Sequence, residues 1–290
     1  MKIDELPSIK YILEQSNLFA KKSLGQNFIH DLNLALKIAN LNGSLTNSIV
    51  LEIGPGPGAL TRALLASGAK KVIVIEKDKK FIPILNNIAN VYPERLEIIE
   101  QDALSFDIEN LRNLPNLKII SNLPYNIGTK LLVNWLQPRI WPPIWKDMTL
   151  MFQKEVANRI AANHGTKDYG RLSVLSQWRN TVKISMNLPP DVFRPIPKVH
   201  SAVVSIFAQT NPKLNANPSI LEKIVKSGFN QRRKMLRSSL KNESSDIEDV
   251  LKASNINSTL RAENLTISDW CRLARELENS TKFKDRHSDD

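Results

Sequence analysis

The tetrapeptide Asn122-Leu123-Pro124-Tyr125 follows an apolar run, Leu117–Ser121, that reads as a buried strand. It offers an amide that can accept or donate, a rigid kink and an aromatic face. Alone, it is also what an ordinary proline turn looks like. Three upstream segments change its weight. Gly54-Pro55-Gly56-Pro57-Gly58 follows the strand-like Ile49–Ile53, and its glycines permit a sharp turn and close approach of a ligand to the backbone. Glu76 ends the β-branched run KVIVIE, 22 residues after Gly54, where a carboxylate can accept both hydroxyls of a ribose. With Lys77 and Asp78 beside it, Glu76 could equally be a solvated acid at a helix start. Asp102 ends a third run, where it can accept from an adenine amino group or cap a helix opening at Ala103. Both roles can hold together.

Gly54, Gly56 and Ala59 formally fit a relaxed G-x-G-x-x-A dinucleotide fingerprint, so a dehydrogenase has to be considered. Pro55 and Pro57 weigh against it. They lack N–H groups, and a pyrophosphate is bound largely through such donors. S-Adenosylmethionine has no phosphate to hold, so the prolines cost it nothing. The tetrapeptide in turn fits an [Asn/Asp/Ser]-x-Pro-[Tyr/Phe] pattern that resembles enzymes methylating exocyclic amines of adenine or cytosine. The lone pair of such an amine is delocalised into its ring. The Asn122 side-chain oxygen and a carbonyl of Leu123 or Pro124 can accept its two hydrogens, drawing the nitrogen toward tetrahedral geometry. Pro124 fixes the backbone, and Tyr125 can stack on a base taken out of its stack.

These residues need a parallel sheet to bring them to one edge, and the patterning supplies it. Strand-like runs at Ile49–Ile53, Lys71–Glu76, Leu96–Glu100, Leu117–Ser121 and Thr149–Phe152 alternate with helical stripes such as Phe81, Ile84, Leu85 and Ile88. Val182–Met186 and Ala202–Phe207 form a late pair. Residues 208–220, polar with Pro212 and Pro218, read as a linker, and residues 221–280 as a small helical domain. Ile9, Ile12 and Leu13 suit a short amphipathic helix.

The 290 residues allow one large domain and a small one, expected at 1–208 and 209–290. Their 42% apolar and 24% charged content is that of a globular protein, and no apolar run reaches the roughly 18 residues of a membrane span. The N-terminus has no signal-type apolar core. A single cysteine, Cys271, fits a reducing cytoplasm and reads as a packing residue beside Trp270. Four scattered histidines and one cysteine form no metal-ligand cluster. Forty Lys and Arg against 29 Asp and Glu give a net charge of +11, which points to a polyanionic partner such as nucleic acid. Residues 221–240 concentrate this charge, with Lys223, Lys226, Arg232, Arg233, Lys234 and Arg237 against Glu222 alone.

With these motifs in order, the chain resembles the ribosomal RNA adenine dimethyltransferases from about Lys21 to Glu278. KKSLGQNFIHD (21–31), EIGPGPGALT, VIEKD, QDAL and NLPYNI are followed by FQKEVANRI (152–160), YGRLSV (169–174), FRPIPKVHSAVV (193–204), FNQRRKMLRSSL (229–240) and RAENLT (261–266). The resemblance implies a Rossmann-like class I S-adenosylmethionine-dependent methyltransferase fold, with a seven-stranded, mostly parallel sheet and a small all-α C-terminal domain. It implies cofactor contacts at Asn27, Ile29, Gly54, Glu76, Asp102 and Asn122, with residues 21–31 capping the cofactor. Catalytic roles are implied for Asn122, Leu123, Pro124 and Tyr125, and Phe193 is expected to sandwich the target adenine opposite Tyr125 or to be a core residue. His30 has no implied role and is expected at the surface. The implied substrate is a pair of adjacent adenosines in the hairpin loop near the 3′ end of 16S rRNA in the 30S particle, with a role in small-subunit biogenesis. Arg232, Arg233, Lys234 and Arg237 are expected to contact RNA. A cytoplasmic monomer without membrane association is expected. Enzymes acting on 23S rRNA or DNA, and a non-catalytic assembly factor, are the competing readings.

Overall fold

The computed structural model describes residues 6–15, 26–137, 140–212 and 214–285. In chain order the elements are α1 (Ile9–Gln15), β1 (Phe28–Ile29), α2 (Leu32–Ala39), β2 (Ile49–Ile53), α3 (Ala59–Ala66), β3 (Lys71–Glu76), α4 (Ile82–Val91), β4 (Leu96–Glu100), β5 (Leu117–Asn122), α5 (Gly128–Trp135), β6 (Trp145–Gln153), α6 (Lys154–Ala161), α7 (Arg171–Gln177), β7 (Asn180–Leu188), β8 (Phe193–Arg194), β9 (Ser201–Ala208), α8 (Pro218–Asn230), α9 (Leu236–Ser239), α10 (Ile247–Ala253) and α11 (Ile267–Asp285). Among the described residues, no helix is long and apolar enough to cross a membrane.

Seven strands form one sheet in the order β4-β3-β2-β5-β6-β9-β7. β4, β3, β2, β5 and β6 run parallel, and β9 pairs antiparallel with β6. Burial of all five residues of β2 explains why it is apolar at every position but Glu52, since a central parallel strand is covered on both faces. The strand order reverses between β2 and β5, and ligands of such sheets sit beyond the carboxyl ends of the strands at that point. A separate two-stranded ladder joins β1 to β8, pairing Phe28 with Arg194 and Ile29 with Phe193. Two-residue strands leave no periodicity to read.

The chain divides into two compact units, residues 1–157 with 182–208, and residues 158–181 with 209–290. Residues 158–181, expected in the first domain, group with the second because Tyr169, Val174 and Trp178 are buried in its core with Leu221, Leu251 and Trp270. The expected linker is also partly structural. Ala216 is buried, the Leu214 carbonyl accepts from Trp178 Nε1 at 2.8 Å, and Asn217 caps α8 with Pro218 in its first turn. Cys271 packs fully buried in this core, and burial pushes its thiol up to about 12.

In the first unit a buried polar chain ties the amino ends of β5 and β6 together. Lys118 Nζ lies 2.7 Å from Asp147 Oδ2, and both residues are nearly inaccessible. Asn42 donates to Asp147 Oδ1 at 3.1 Å and accepts from Ser205 Oγ at 2.7 Å. Removing one partner of such a pair strands the other charge. Asp147→Ala is expected to destabilise the fold by about 3–5 kcal/mol in urea unfolding, and Lys118→Met with Asp147→Leu by clearly less. Equal losses would show that the charge pairing is unimportant.

Candidate active site

An open cleft of about 680 Å³ lies beyond the carboxyl ends of β2, β3, β4 and β5. Its wall carries Asn27, Gly54, Glu76, Asp102 and the whole of Asn122–Tyr125. The glycine turn after β2 shapes its floor. Gly56 has φ +54°, and a Cβ there would stand 2.5 Å from a ring carbon of Phe28, which packs over the turn. The turn directs every amide donor of its glycines inward. Gly54 N–H donates to the Ile75 carbonyl, Gly56 N–H to Glu76 Oε2 and Gly58 N–H to the Pro55 carbonyl. Pro55 and Pro57 have none to give. The glycine amides of this turn are therefore not offered to a pyrophosphate, which weighs against the dinucleotide alternative together with the two prolines.

Glu76 is 4% exposed, with Oε1 accepting from Asp78 N–H at 2.8 Å. Burial pushes its carboxyl up, against the backbone hydrogen bonds from Asp78 and Gly56. It is thus a fixed acceptor in the cleft wall and not a solvated helix-start acid. Asp102 accepts from Leu104 N–H at 2.9 Å through Oδ1 and pairs with Lys77 Nζ at 3.0 Å through Oδ2. The Leu104 N–H, then Lys77, hold its carboxyl below the usual range. No helix follows: Asp102 closes a turn, so the expected capping is an Asx turn.

At the end of β5, Asn122 Nδ2 donates to the Asn27 carbonyl at 2.7 Å. A carbonyl can only accept, so this bond fixes the amide orientation and makes Oδ1 the acceptor end. The Pro124 carbonyl already accepts Ile127 N–H and Gly128 N–H at 3.1 and 2.9 Å, where it opens α5. Of the two carbonyls considered for an incoming amine, this leaves that of Leu123. Tyr125 is half-buried, and its hydroxyl lies 2.5 Å from Ser201 Oγ.

Other expected residues fall differently. Lys21–Gly25 of the capping motif lie outside the described residues, while Gln26, Asn27 and Phe28 line the cleft. Ile29 lines a smaller neighbouring chamber with Glu52, Gly54 and Asn122. Phe193 is fully buried in the core of the first unit, because β8 pairs with β1 there, so its ring is not presented as a second stacking face. His30 is half-buried with Nδ1 shut from solvent, not a surface histidine, because it sits between β1 and α2. In the second unit Arg233, Lys234 and Arg237 are exposed. Arg232 is committed to Glu263 at 2.7 Å and to the Thr166 carbonyl at 3.3 Å, joining the 229–240 and 261–266 motifs. Among the described residues, no cluster of His, Cys, Asp and Glu could hold a metal.

The ribosomal RNA adenine dimethylase family matches residues 17–279. The chain belongs to this family. A ribosomal RNA small subunit methyltransferase A from Dinoroseobacter shibae is 53% identical over 95% of this chain and 98% of the relative. The protein of that name from Paracoccus denitrificans is also 53% identical, over 95% and 97%. Among solved structures, a dimethyladenosine transferase from Plasmodium falciparum superposes with a TM-score of 0.71 at 28% identity, covering 86% of this chain and 96% of its own. The 23S rRNA methyltransferase ErmE superposes with a TM-score of 0.63 at 25% identity, covering 87% and 100%.

One residue of this family member's site escaped the sequence reading. Glu52, inside β2, has a fully buried carboxyl that accepts from Thr61 Oγ1 at 2.7 Å. Burial pushes it up to about 8, so it is largely uncharged at neutral pH. An acid in an apolar run carries no period to betray it. Because its folded value lies above its unfolded one, the stability linked to Glu52 is full below about pH 4.5 and declines as pH rises through about 8. Glu52→Gln is therefore expected to raise the melting temperature at pH 8 and to converge on the parent near pH 4.5. A constant offset across that window would contradict this.

Proposed function

We propose that the protein uses S-adenosylmethionine to dimethylate N6 of two adjacent adenosines in the 3′-terminal hairpin loop of 16S rRNA, acting on the 30S particle in small-subunit biogenesis. The observation that carries this reading is the Asn122–Asn27 hydrogen bond, which aims a side-chain acceptor beside the Leu123 carbonyl. Two acceptors side by side are what an exocyclic amine with two hydrogens requires.

The cofactor, when bound, supplies a methyl group on a sulfonium. The chain fits it: Glu76 and Asp102 are acceptors suited to ribose hydroxyls and an adenine amino group, and the glycine turn makes no demand for phosphate. Asn27, Ile29 and Gly54 complete the contacts. Asn122 Oδ1 and the Leu123 carbonyl accept the N6 hydrogens and turn the nitrogen lone pair out of the ring plane. No side chain has to remove a proton before attack. Methyl transfer leaves the nitrogen cationic with two hydrogens, one of which it then loses as a proton to water. One hydrogen remains, so one acceptor suffices to orient the second transfer. Pro124 holds these groups in register, and Tyr125 stacks on the adenine, which contributes about 1–3 kcal/mol.

The small-subunit assignment rests on 53% identity to relatives named for that subunit, against 25% to the 23S enzyme. Labelled S-adenosylmethionine with 30S particles lacking the modification is expected to label 16S rRNA. Label in 23S rRNA, or none, would overturn the proposal. Asn122→Ala should lower turnover by about 100-fold or more and leave cofactor affinity within about tenfold; equal losses would make Asn122 a cofactor residue only.

Arg233, Lys234 and Arg237 are the cations of the second unit that we assign to RNA phosphates, whereas Arg232 serves the fold through Glu263. Replacing these three by Ala should weaken particle binding and flatten its salt dependence by roughly 0.7–0.9 log units per lost phosphate contact. An unchanged salt slope would remove them from the interface.

A further inference from the structure

The segment 195–200, between β8 and β9, has no part in the machinery described so far. Both of its ends are fastened to the cleft. At one end Arg194 pairs in register with Phe28, a cleft residue. At the other, Ser201, fully buried, holds the Tyr125 hydroxyl at 2.5 Å. Backbone anchoring adds to this, as Lys154 N–H donates to the His200 carbonyl at 2.9 Å. Pro195 and Pro197 stiffen the span between.

This braced loop displays apolar side chains to water. Ile196 is 59% exposed and Val199 43%, among the few large apolar residues so exposed. Cations flank them: Lys198 is exposed, and exposed Arg194 is steadied by the carbonyls of Asp191 and Phe193. Paired apolar tips between cations suit a stacked polyanion better than an apolar protein groove. Taking a base out of its stack costs a few kcal/mol, which apolar side chains inserted at the gap can offset.

We infer that the 195–200 loop is a wedge for the substrate RNA: Ile196 and Val199 fill the space left when the target adenosine moves against Tyr125, and Arg194 and Lys198 hold the flanking phosphates. The inference rests on the function proposed above. It gives Ser201 a positioning role, since its hydroxyl ties the wedge to the residue that receives the base. The partner is a looped RNA next to the reacting nucleotide. A ribosomal protein seated on Ile196 and Val199 is the rival occupant.

The test uses the full-length protein, 30S particles lacking the modification, and labelled S-adenosylmethionine. Ile196→Ser with Val199→Ser, both at exposed positions, should bind particles within about threefold of the parent yet transfer methyl about tenfold or more slowly at saturating particle. Ile196→Met with Val199→Ile should restore most of that rate, because the wedge needs apolar volume and not one shape. Lys198→Gln should weaken binding and lower its salt slope. An unchanged saturating rate in the double serine variant overturns the wedge. So does lost particle affinity with an unchanged saturating rate, which would instead mark a protein contact. A parent protein that labels no 16S rRNA refutes the underlying function, a result distinct from either.

Discussion

The hydrogen bond from Asn122 to the Asn27 carbonyl is the constraint on which the site depends. It joins the carboxyl end of β5, at the centre of the sheet, to a segment 95 residues earlier. In doing so it settles which atom of the amide faces an incoming group. The rest of the first unit keeps both partners still. β1 pairs with β8, Phe28 packs edge-on against Phe81 with ring centres 5.3 Å apart, and Gly56 makes room for that ring. An acceptor held in this way needs no rearrangement when charge shifts on an amine.

The sheet is readable in the sequence because its central strands β2, β3 and β5 are buried on both faces and its helices on one. The strands Ile49–Ile53 and Lys71–Glu76 coincide with the runs IVLEI and KVIVIE, whose β-branched and apolar residues mark them in the sequence. The site carboxylates were readable because a polar residue at the end of such a run stands out. Other features depend on contacts that no local pattern encodes. Nothing in Phe28-Ile29 or Phe193-Arg194 announces their pairing across so long a stretch of chain, and that pairing buries Phe193. Arg232 looks like its neighbours Arg233 and Lys234 until Glu263 is seen beside it. Residues 158–181 look like more of the α/β pattern, yet Trp178 belongs to a core assembled from residues far downstream.

Positive charge is therefore not one quantity in this molecule. Lys118 is spent inside the sheet, and Arg62, 1% exposed in α3, donates to the carbonyls of Leu6 and Pro7. Lys77 shields Asp102. Exposed cations are spread over the described residues, Lys37, Lys130, Lys226 and Lys252 among them, and Arg233, Lys234 and Arg237 in one unit and Arg194 and Lys198 in the other are those set within the motif segments assigned to RNA.

The glycine turn has one more consequence. ATP and NAD share an adenosine half with S-adenosylmethionine, so groups that recognise adenosine cannot by themselves tell the three apart. A turn whose glycine amides are all consumed internally makes the distinction by omission: a phosphate brought there would shed its water and receive nothing in return. The discrimination is carried by silent backbone.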